Sequence, residues 1–266
     1  MTGGDANAMS SAPDVSANGR IVTFASDASN LVDGDTNGIV DVFAWDRANG
    51  TTQRVSVNSA GQQQDGWCHP FPVVSGSGRF VAFLSGARNL APGATNFACH
   101  TYVRDLVAGT TEIVSVSSSG GIANGNGADW PAITPDGRYV AFTSYASNLV
   151  PNDTNSQPDV FLRDRATGTT TLVSATPAGI VGTRESGLPD VSDDGRFVVF
   201  TSASTDLVPG DANGNGGDVY LRDTIAGTTE RVSVSSSGVQ GAGTGCCTSV
   251  SISPDGRYVL FATSAG

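Results

Sequence analysis

One phrase recurs five times along the 266-residue chain at a nearly constant spacing. It joins a polar turn to an Arg and a short apolar run, and its central glycines are Gly19, Gly78, Gly137, Gly195 and Gly256. Consecutive glycines lie 59, 59, 58 and 61 residues apart. A fixed period of this length indicates a repeat architecture, in which each copy is one supersecondary unit that cannot bury its apolar surface alone.

Each copy of the phrase predicts a β-hairpin. The copies are SANGRIVTF at 16–24, SGSGRFVAF at 75–83, TPDGRYVAF at 134–142, SDDGRFVVF at 192–200 and SPDGRYVLF at 253–261. Asp-Gly and Ser-Gly form tight turns because Gly accepts a positive φ without steric cost. The runs that flank the turn are short, rich in β-branched and aromatic residues, and without a 3.6-residue stripe, which is typical of strands.

Each full period contains four strand-like runs, and the chain is therefore predicted to be all-β. Repeated sets of four antiparallel strands are typical of a β-propeller, whose neighbouring blades bury the faces that one blade exposes. We expect one propeller domain over 1–266, either an open arc of about five blades or a ring completed by residues outside this sequence. The predicted blades are four complete ones at about 12–57, 70–116, 130–175 and 188–234 and half of a fifth at 248–263.

The net charge of the chain limits the kinds of partner that we expect it to bind. The net charge of −11 argues against nucleic-acid binding through phosphate neutralisation and against docking on anionic lipid, and it favours cations. All 14 basic residues are Arg, so no Lys is present for Schiff-base chemistry. The chain contains no run of 18 apolar residues, so membrane insertion is not expected. No signal-peptide pattern precedes the first repeat, and we expect a fragment of a longer exported chain.

The full repeat resembles that of the TolB-type, WD-like β-propellers of bacterial envelope and secreted proteins. The resemblance is carried by PDGRYVAF at 135–142, DVFLRD at 159–164 and GTT-x-x-VSV at 109–116, and it covers nearly the whole chain. It implies a periplasmic or extracellular protein. It also implies that the first run of each period lines a central channel, and that the linkers before the first run and after the second run share one face. Such repeats serve both as binding scaffolds and as non-catalytic halves of peptidases.

Three Asp-rich linkers between the second and third strands are candidate calcium sites. In the first linker, oxygen donors occupy alternate positions and Gly occupies the sixth, which matches the opening of an EF-hand-type calcium loop. Ala44 stands at the twelfth position, where such a loop has a bidentate Glu. The alternative is that Asp and Asn only cap turns through the backbone. If calcium binds, we expect it to stiffen these linkers. The candidate ligands are Asp33, Asp35, Asn37, Ile39 and Asp41 in the first period, Asp153, Asn155 and Asp159 in the third, and Asp211, Asn213 and Asp218 in the fourth.

The four cysteines allow several interpretations. By analogy with the resembled family, the linkers that hold Cys68 and Cys99 share a face, so a disulfide between them is geometrically reasonable. Cys246 and Cys247 are adjacent in the repeat position of Cys68, where a vicinal disulfide would be strained. The alternatives are free thiols, or a zinc or copper site that uses the histidine after Cys68 and the one after Cys99, at a spacing that matches no known zinc finger. An even cysteine count is typical of an oxidising compartment.

The residues that would form a ligand-binding face are few. The candidates are Trp67, His69, His100 and Trp130, whose rings could stack on sugars or on side chains of a partner; the alternative is packing between blades. The sequence contains no Gly-x-Ser-x-Gly elbow, His-Glu-x-x-His motif or phosphate loop, so no catalytic residue is predicted.

We therefore expect a non-catalytic binding or scaffold propeller, stabilised by calcium, that presents a protein- or glycan-binding face at the channel mouth. One alternative is an enzyme, either a polysaccharide lyase or hydrolase or the propeller half of a peptidase. Another is a structural unit that self-associates through its open blade edges, because exposed strand edges favour pairing.

Overall fold

The computed structural model of the chain describes residues 5–95, 98–214, 216–241 and 249–262, without the side chains of residues 128–130. The regular elements in this part of the chain are β-strands. In chain order they are β1 (Ser10–Val15), β2 (Ile21–Ser26), β3 (Asp41–Asp46), β4 (Thr51–Arg54), β5 (Val73–Val74), β6 (Phe80–Ser85), β7 (His100–Asp105), β8 (Thr110–Ile113), β9 (Gly127–Ile133), β10 (Tyr139–Ser144), β11 (Asp159–Asp164), β12 (Thr169–Leu172), β13 (Ser186–Val191), β14 (Phe197–Ser202), β15 (Asp218–Asp223), β16 (Thr228–Arg231), β17 (Ser249–Ile252) and β18 (Val259–Ala262).

These strands form four four-stranded sheets and one two-stranded sheet, and within each sheet consecutive strands pair antiparallel. Blade 1 contains β1–β4, blade 2 contains β5–β8, blade 3 contains β9–β12 and blade 4 contains β13–β16. Half-blade 5 contains β17 and β18. The predicted all-β architecture of four complete blades and half of a fifth is confirmed.

The chain divides into two compact units. Unit 1 comprises Met1–Val114 and Pro135–Gly137 and holds blades 1 and 2. Unit 2 comprises Ser115–Thr134 and Arg138–Gly266 and holds blades 3 and 4 and half-blade 5. The single domain expected over 1–266 stays a prediction.

In unit 1 the apolar core lies between blades 1 and 2. Ile21 and Val42 of blade 1 pack in one buried cluster with Phe83, Leu90 and Tyr102 of blade 2. We call the side of a blade that packs on the following blade its downstream face, and the side that packs on the preceding blade its upstream face. The downstream face of blade 1 therefore meets the upstream face of blade 2.

The same junction occurs twice in unit 2. Between blades 3 and 4, Ala141 packs in one cluster with Val198 and Phe200. Between blade 4 and half-blade 5, Val199 packs with Ile252, and Val259 and Phe261 lie against that pair. Because side chains alternate across a strand, residues 198 and 199 serve opposite faces of blade 4. Alternation within each blade thus provides both surfaces of the repeated junction.

Three of the hairpin glycines pack against an aromatic ring of the preceding repeat. At Gly195, which has a φ of +72°, an added Cβ would overlap the ring of Tyr139 in blade 3. This position therefore needs Gly both for the turn and for the close approach. The contact recurs in the pairs Phe80–Gly137, Tyr139–Gly195 and Phe197–Gly256. We call it the glycine–ring contact.

Gly195→Ala is expected to lower the free energy of unfolding by about 2–5 kcal/mol. The left-handed backbone costs about 1–2 kcal/mol for a residue with a side chain, and overlap with the ring of Tyr139 adds about 1–3 kcal/mol. Gly179→Ala is the control, because Gly179 has a φ of +77° and nothing within 4 Å of an added Cβ. Urea denaturation of both variants measures the difference; equal losses at the two sites would contradict the packing role.

Candidate functional site

In blade 1 the Asp-rich linker surrounds an arginine. Asp41 is fully buried; its Oδ1 accepts a hydrogen bond from the Ser56 hydroxyl at 2.5 Å and its Oδ2 accepts one from Asn37 Nδ2 at 3.1 Å. Arg54, the last residue of β4, places Nη2 3.2 Å from Asp35 Oδ2 and Nε 3.4 Å from Asp41 Oδ2. The Arg54 side chain is 7% exposed. A fixed positive charge therefore lies beside both carboxylates.

Blade 4 repeats this arrangement. Arg231 Nη2 lies 3.6 Å from Asp211 Oδ2, and its Nε lies 3.4 Å from Asp218 Oδ2. The guanidinium also lies 5.7 Å from the centre of the Tyr220 ring, a favourable distance for a cation over an aromatic face. In blades 1 and 4, a calcium ion would meet a guanidinium at close range, so these donor sets do not fit a divalent cation.

Asn37 and Asp211 also accept hydrogen bonds from the backbone of these linkers. In blade 1 Asp33 is exposed, and the N–H of Ile39 donates to Asn37 Oδ1 at 3.3 Å. In blade 4 the N–H of Asn213 donates to Asp211 Oδ1 at 3.1 Å. These contacts are those of Asx-type turns, in which a side-chain oxygen accepts from the backbone two residues on.

Blade 3 keeps the two carboxylates but has Leu172 where blades 1 and 4 have arginine. Asp159 is fully buried and accepts hydrogen bonds from the Ser174 hydroxyl at 2.6 Å and from Asn155 Nδ2 at 2.8 Å. Asp153 is also buried. Burial, together with the nearby charge of Asp153, raises the pKa of Asp159 to about 7, and burial raises the pKa of Asp153 as well.

Blade 2 has replaced all three members of the set. Ala94, His100 and Ile113 stand in the places of the two acids and the arginine. His100 is fully buried, its ring lies edge-on to Tyr102 at a centroid distance of 6.5 Å, and burial lowers its pKa. The expected position of His100 on an exposed ligand face is therefore wrong, because its side chain points into the blade.

Cys68 and Cys99 form a disulfide, with their Cα atoms 6.0 Å apart. The predicted pairing is confirmed, and it links the linker before β5 to the linker before β7. Cys246 and Cys247 lie outside the described residues. In the described ranges, no group of three or more His, Cys, Asp and Glu side chains is arranged to hold a metal ion.

Trp67, His69 and Phe71 form a row of rings on the linker that the disulfide tethers. Burial alternates along this segment, so that Cys68 points inward while Trp67 and His69 are exposed. The ring centroids of Trp67 and His69 are 5.1 Å apart, and those of His69 and Phe71 are 5.8 Å apart with an interplanar angle of 19°. We call these three residues the aromatic row. Trp130 lies in β9, and its side chain is not described.

Each complete blade also carries an outer ion pair between its hairpin arginine and the last residue of its third strand. The pairs are Arg20–Asp46, Arg79–Asp105, Arg138–Asp164 and Arg196–Asp223, at 2.8, 2.7, 2.8 and 2.7 Å. Hydrogen bonds from the arginines lower the pKa of Asp105, Asp164 and Asp223 to about 2. These carboxylates stay ionised at neutral pH and serve the blade scaffold.

Arg54 and Arg231 are site residues that sequence reasoning missed. They lie on the fourth strand, while their carboxylate partners lie just before the third strand or at its first residue, and only strand pairing brings them together. A comparison of the repeats with one another could have found them. The last residue of the fourth strand is Arg in the first and fourth repeats but Ile or Leu in the second and third.

Comparisons with known proteins identify the fold. No family model matches this sequence, and no curated protein matches it. The structure is similar to TolB from Acinetobacter baumannii, with 17% identity, a TM-score of 0.54, and coverage of 97% of this chain and 50% of TolB. It is also similar to an oligogalacturonate lyase from Vibrio parahaemolyticus, at 14% identity and a TM-score of 0.55, covering 97% of this chain and 63% of the lyase.

A third similar structure is dipeptidyl peptidase 4 from Porphyromonas gingivalis, with 14% identity, a TM-score of 0.53, and coverage of 98% of this chain and 37% of the peptidase. The chain thus spans half the length of the Acinetobacter TolB. It has a TolB-like β-propeller fold, as the sequence resemblance predicted. None of the described residues forms a helix long and apolar enough to cross a membrane.

Leu172→Arg is expected to remove a pH dependence of stability that originates in blade 3. The folded-state pKa of Asp159, about 7, lies above the unfolded value of about 3.9. The folded protein therefore holds the proton more tightly, and this group lowers stability progressively as pH rises from about 4 to about 7, by up to about 4 kcal/mol. An arginine beside the carboxylate favours its ionised form and reduces that loss.

Urea denaturation between pH of about 4 and about 8 measures this effect. Leu172→Gln is the neutral control and should keep the slope of the parent chain. An identical pH slope in the parent chain and in Leu172→Arg would show that Asp159 does not titrate in this range.

Proposed function

We propose that this chain is a non-catalytic binding or scaffold propeller that presents a protein- or glycan-binding face on blade 2. The aromatic row supports the proposal most directly. Trp67 is 50% exposed although it belongs to the residue type with the largest apolar surface. Large exposed aromatic side chains that adjoin one another are typical of recognition surfaces, where they act as anchors.

The geometry of the row suits flat apolar partners. Its three rings follow one another at 5.1 and 5.8 Å and form a continuous strip. The indole N–H of Trp67 and the imidazole of His69 add hydrogen-bonding groups to this strip. The apolar face of a sugar ring, or an aromatic side chain of a partner, matches that combination.

The disulfide favours the aromatic row as a preorganised binding surface. Cys68 lies between Trp67 and His69 and ties their linker to the segment before β7. A linker held in its binding conformation loses less conformational entropy when a ligand arrives, which favours affinity. A disulfide is also typical of proteins in oxidising compartments, so we propose a periplasmic or extracellular location.

The enzymatic alternatives stay predictions. The fold is shared with an oligogalacturonate lyase and with a dipeptidyl peptidase, but at 14% identity the likeness shows the fold and no activity.

Trp67→Ala is expected to weaken ligand binding by about tenfold or more, because truncation of a central aromatic anchor costs about 2 kcal/mol. The ligand is sought with an array of polysaccharide fragments and with a displayed peptide library, using the full chain. Tyr145→Ala is the matched control, since Tyr145 is another exposed aromatic residue and lies on blade 3. Ligands that bind Trp67→Ala as tightly as the parent chain, or the absence of any ligand, would contradict the proposal.

We further propose that calcium binding is confined to blade 3. Its linker combines two buried carboxylates, Asp153 and Asp159, with the amide of Asn155, and it has a leucine in place of the arginine of blades 1 and 4. Oxygen donors of this kind suit a hard divalent cation. A bound ion would supply the positive charge that Arg54 and Arg231 supply elsewhere.

Calorimetric titration with Ca²⁺ tests this proposal. The parent chain and Leu172→Gln are expected to take up Ca²⁺ and to melt at a lower temperature in EDTA, since a ligand that binds only the folded state stabilises it. Leu172→Arg is expected to take up none. An unchanged melting temperature in EDTA together with no heat of binding for the parent chain would refute it.

A further inference from the structure

The first strand of blade 2 is shorter than its counterparts. Among the described residues, β5 pairs with β6 only at Val73 and Val74. In blade 3 the first strand extends further and also pairs with the end of the second strand, where Gly127 lies opposite Ser144, and blade 4 has the same pairing. Cys68 holds the position of Gly127 in blade 2 and lies outside any strand. The segment that carries the aromatic row has therefore left the sheet.

The N–H of Gly86 marks the place that this segment has left. In blade 3 the residue after the second strand, Tyr145, donates its N–H to the carbonyl of Asn126 at 2.8 Å, and the corresponding bond in blade 4 is 3.0 Å long. Gly86 and Trp67 hold these two positions in blade 2. The N–H of Gly86 has no hydrogen-bond acceptor among the described residues, although Gly86 is buried. A buried N–H is normally paired, so a bond that the other blades make is missing here.

The displacement is local. An added Cβ on Gly66 would overlap the carbonyl of Gly86, and the same close approach recurs in blade 3. On the other side, the N–H of Leu84 donates to the carbonyl of Pro70 at 2.8 Å. Only residues 67–69, between these two anchors, lie away from the end of β6. We call these three residues the displaced segment.

The disulfide and the missing strand pairing exclude each other. Cys99 precedes His100, which pairs with Ser85 from the β7 side of β6. A residue that paired with Ser85 from the opposite side would lie two strand spacings from β7, about 9.5 Å away. The Cα atoms of Cys68 and Cys99 are 6.0 Å apart, within the range of about 4.4–6.8 Å that a disulfide needs. Cys68 therefore cannot pair with Ser85 while it is bonded to Cys99.

Blade 4 shows the arrangement that the disulfide prevents. There the position of Cys68 is Ser186, whose hydroxyl donates to the hydroxyl of Ser202 in the second strand at 2.8 Å, and blade 1 has the same serine pair at 3.0 Å. In blade 2, Ser85 holds the position of Ser202, and its hydroxyl donates to Gln64 Oε1 at 2.7 Å. The end of β6 thus keeps the serine and the buried N–H with which a longer first strand would pair.

We propose that the Cys68–Cys99 disulfide controls the position of the aromatic row. In the oxidised chain the bond holds the displaced segment beside the start of β7. When a dithiol reductant opens the bond, the segment pairs with the end of β6, lengthens the first strand, and accepts the N–H of Gly86 at the carbonyl of Trp67. The consequence for ligand binding rests on the function proposed above for the aromatic row.

The reduction is a thiol–disulfide exchange with an external dithiol. One thiolate of the reductant bonds to Sγ of Cys99, which is only partly buried, and the electron pair of the broken S–S bond leaves on Sγ of Cys68, which takes up a proton. The second thiolate of the reductant attacks the mixed disulfide and releases Cys99, which also takes up a proton. The reductant becomes a disulfide, and its two electrons reduce the two cysteines.

Hydrogen exchange of the full chain, measured by NMR, tests the movement without a ligand. On reduction with dithiothreitol, the Gly86 amide is expected to exchange at least about tenfold more slowly, because it gains a hydrogen bond. The double variant Cys68→Ser, Cys99→Ser removes the bond without a reductant and should show the same slowing. The amides of Tyr145 and Ala203 are the controls, since they already make this bond in blades 3 and 4.

Two results would overturn the proposal. Unchanged or faster exchange of the Gly86 amide, in the reduced chain and in the double variant, would show that the segment does not pair with β6. Loss of protection at the Tyr145 and Ala203 amides as well would show that the disulfide supports the whole fold and does not control the row.

Binding of one selected probe in the two redox states tests the consequence for the row. The probe is the polysaccharide fragment or peptide that the oxidised chain selects. Its affinity is expected to fall by about tenfold or more on reduction, because Trp67 and His69 move and their linker loses its restraint. Equal affinity in the two states would overturn the control of binding. If the oxidised chain selects no probe, the proposed binding function is contradicted, and the Gly86 amide alone decides whether the segment moves.

Discussion

A blade of this protein buries its apolar faces only against another blade, and this constraint shapes the rest of the structure. Side chains that alternate along one strand serve two different junctions, as residues 198 and 199 do in blade 4. The hairpin glycine must then lie close to a ring of the preceding blade, as Gly195 does on Tyr139. The junctions within each unit use the same pair of surfaces. Each blade is therefore stabilised by the same kind of apolar contact with its neighbour.

A second repeated feature is a set of buried charges, in which two aspartates contact one arginine. Blades 1 and 4 keep the full set, with Arg54 and Arg231 as the internal cations. Blade 2 has lost both acids and the arginine together, which leaves no buried carboxylate at these positions. Blade 3 has lost only the arginine. Burial raises the pKa of both of its carboxylates, Asp153 and Asp159, because the ionised form is costly in a low-dielectric environment.

The binding surface proposed on blade 2 lies on a linker that the disulfide restrains. In that blade the acid–arginine set is absent, and His100 packs inside the sheet beside Tyr102. The neighbouring linker carries Trp67 and His69 outward on either side of Cys68. A repeated scaffold thus keeps its core constant while one linker changes its chemistry, which is a common way for one fold to serve different functions.

The amino-acid sequence by itself determined the period, the hairpins, the all-β class and the number of blades, because turn chemistry and side-chain alternation act between residues close in the chain. The resemblance to TolB-type repeats added the Cys68–Cys99 pairing. Only the tertiary structure decided that Arg54 lies beside Asp41 and that His100 is buried. These features depend on strand register and on which face a neighbouring blade covers, and spacing along the chain does not encode either.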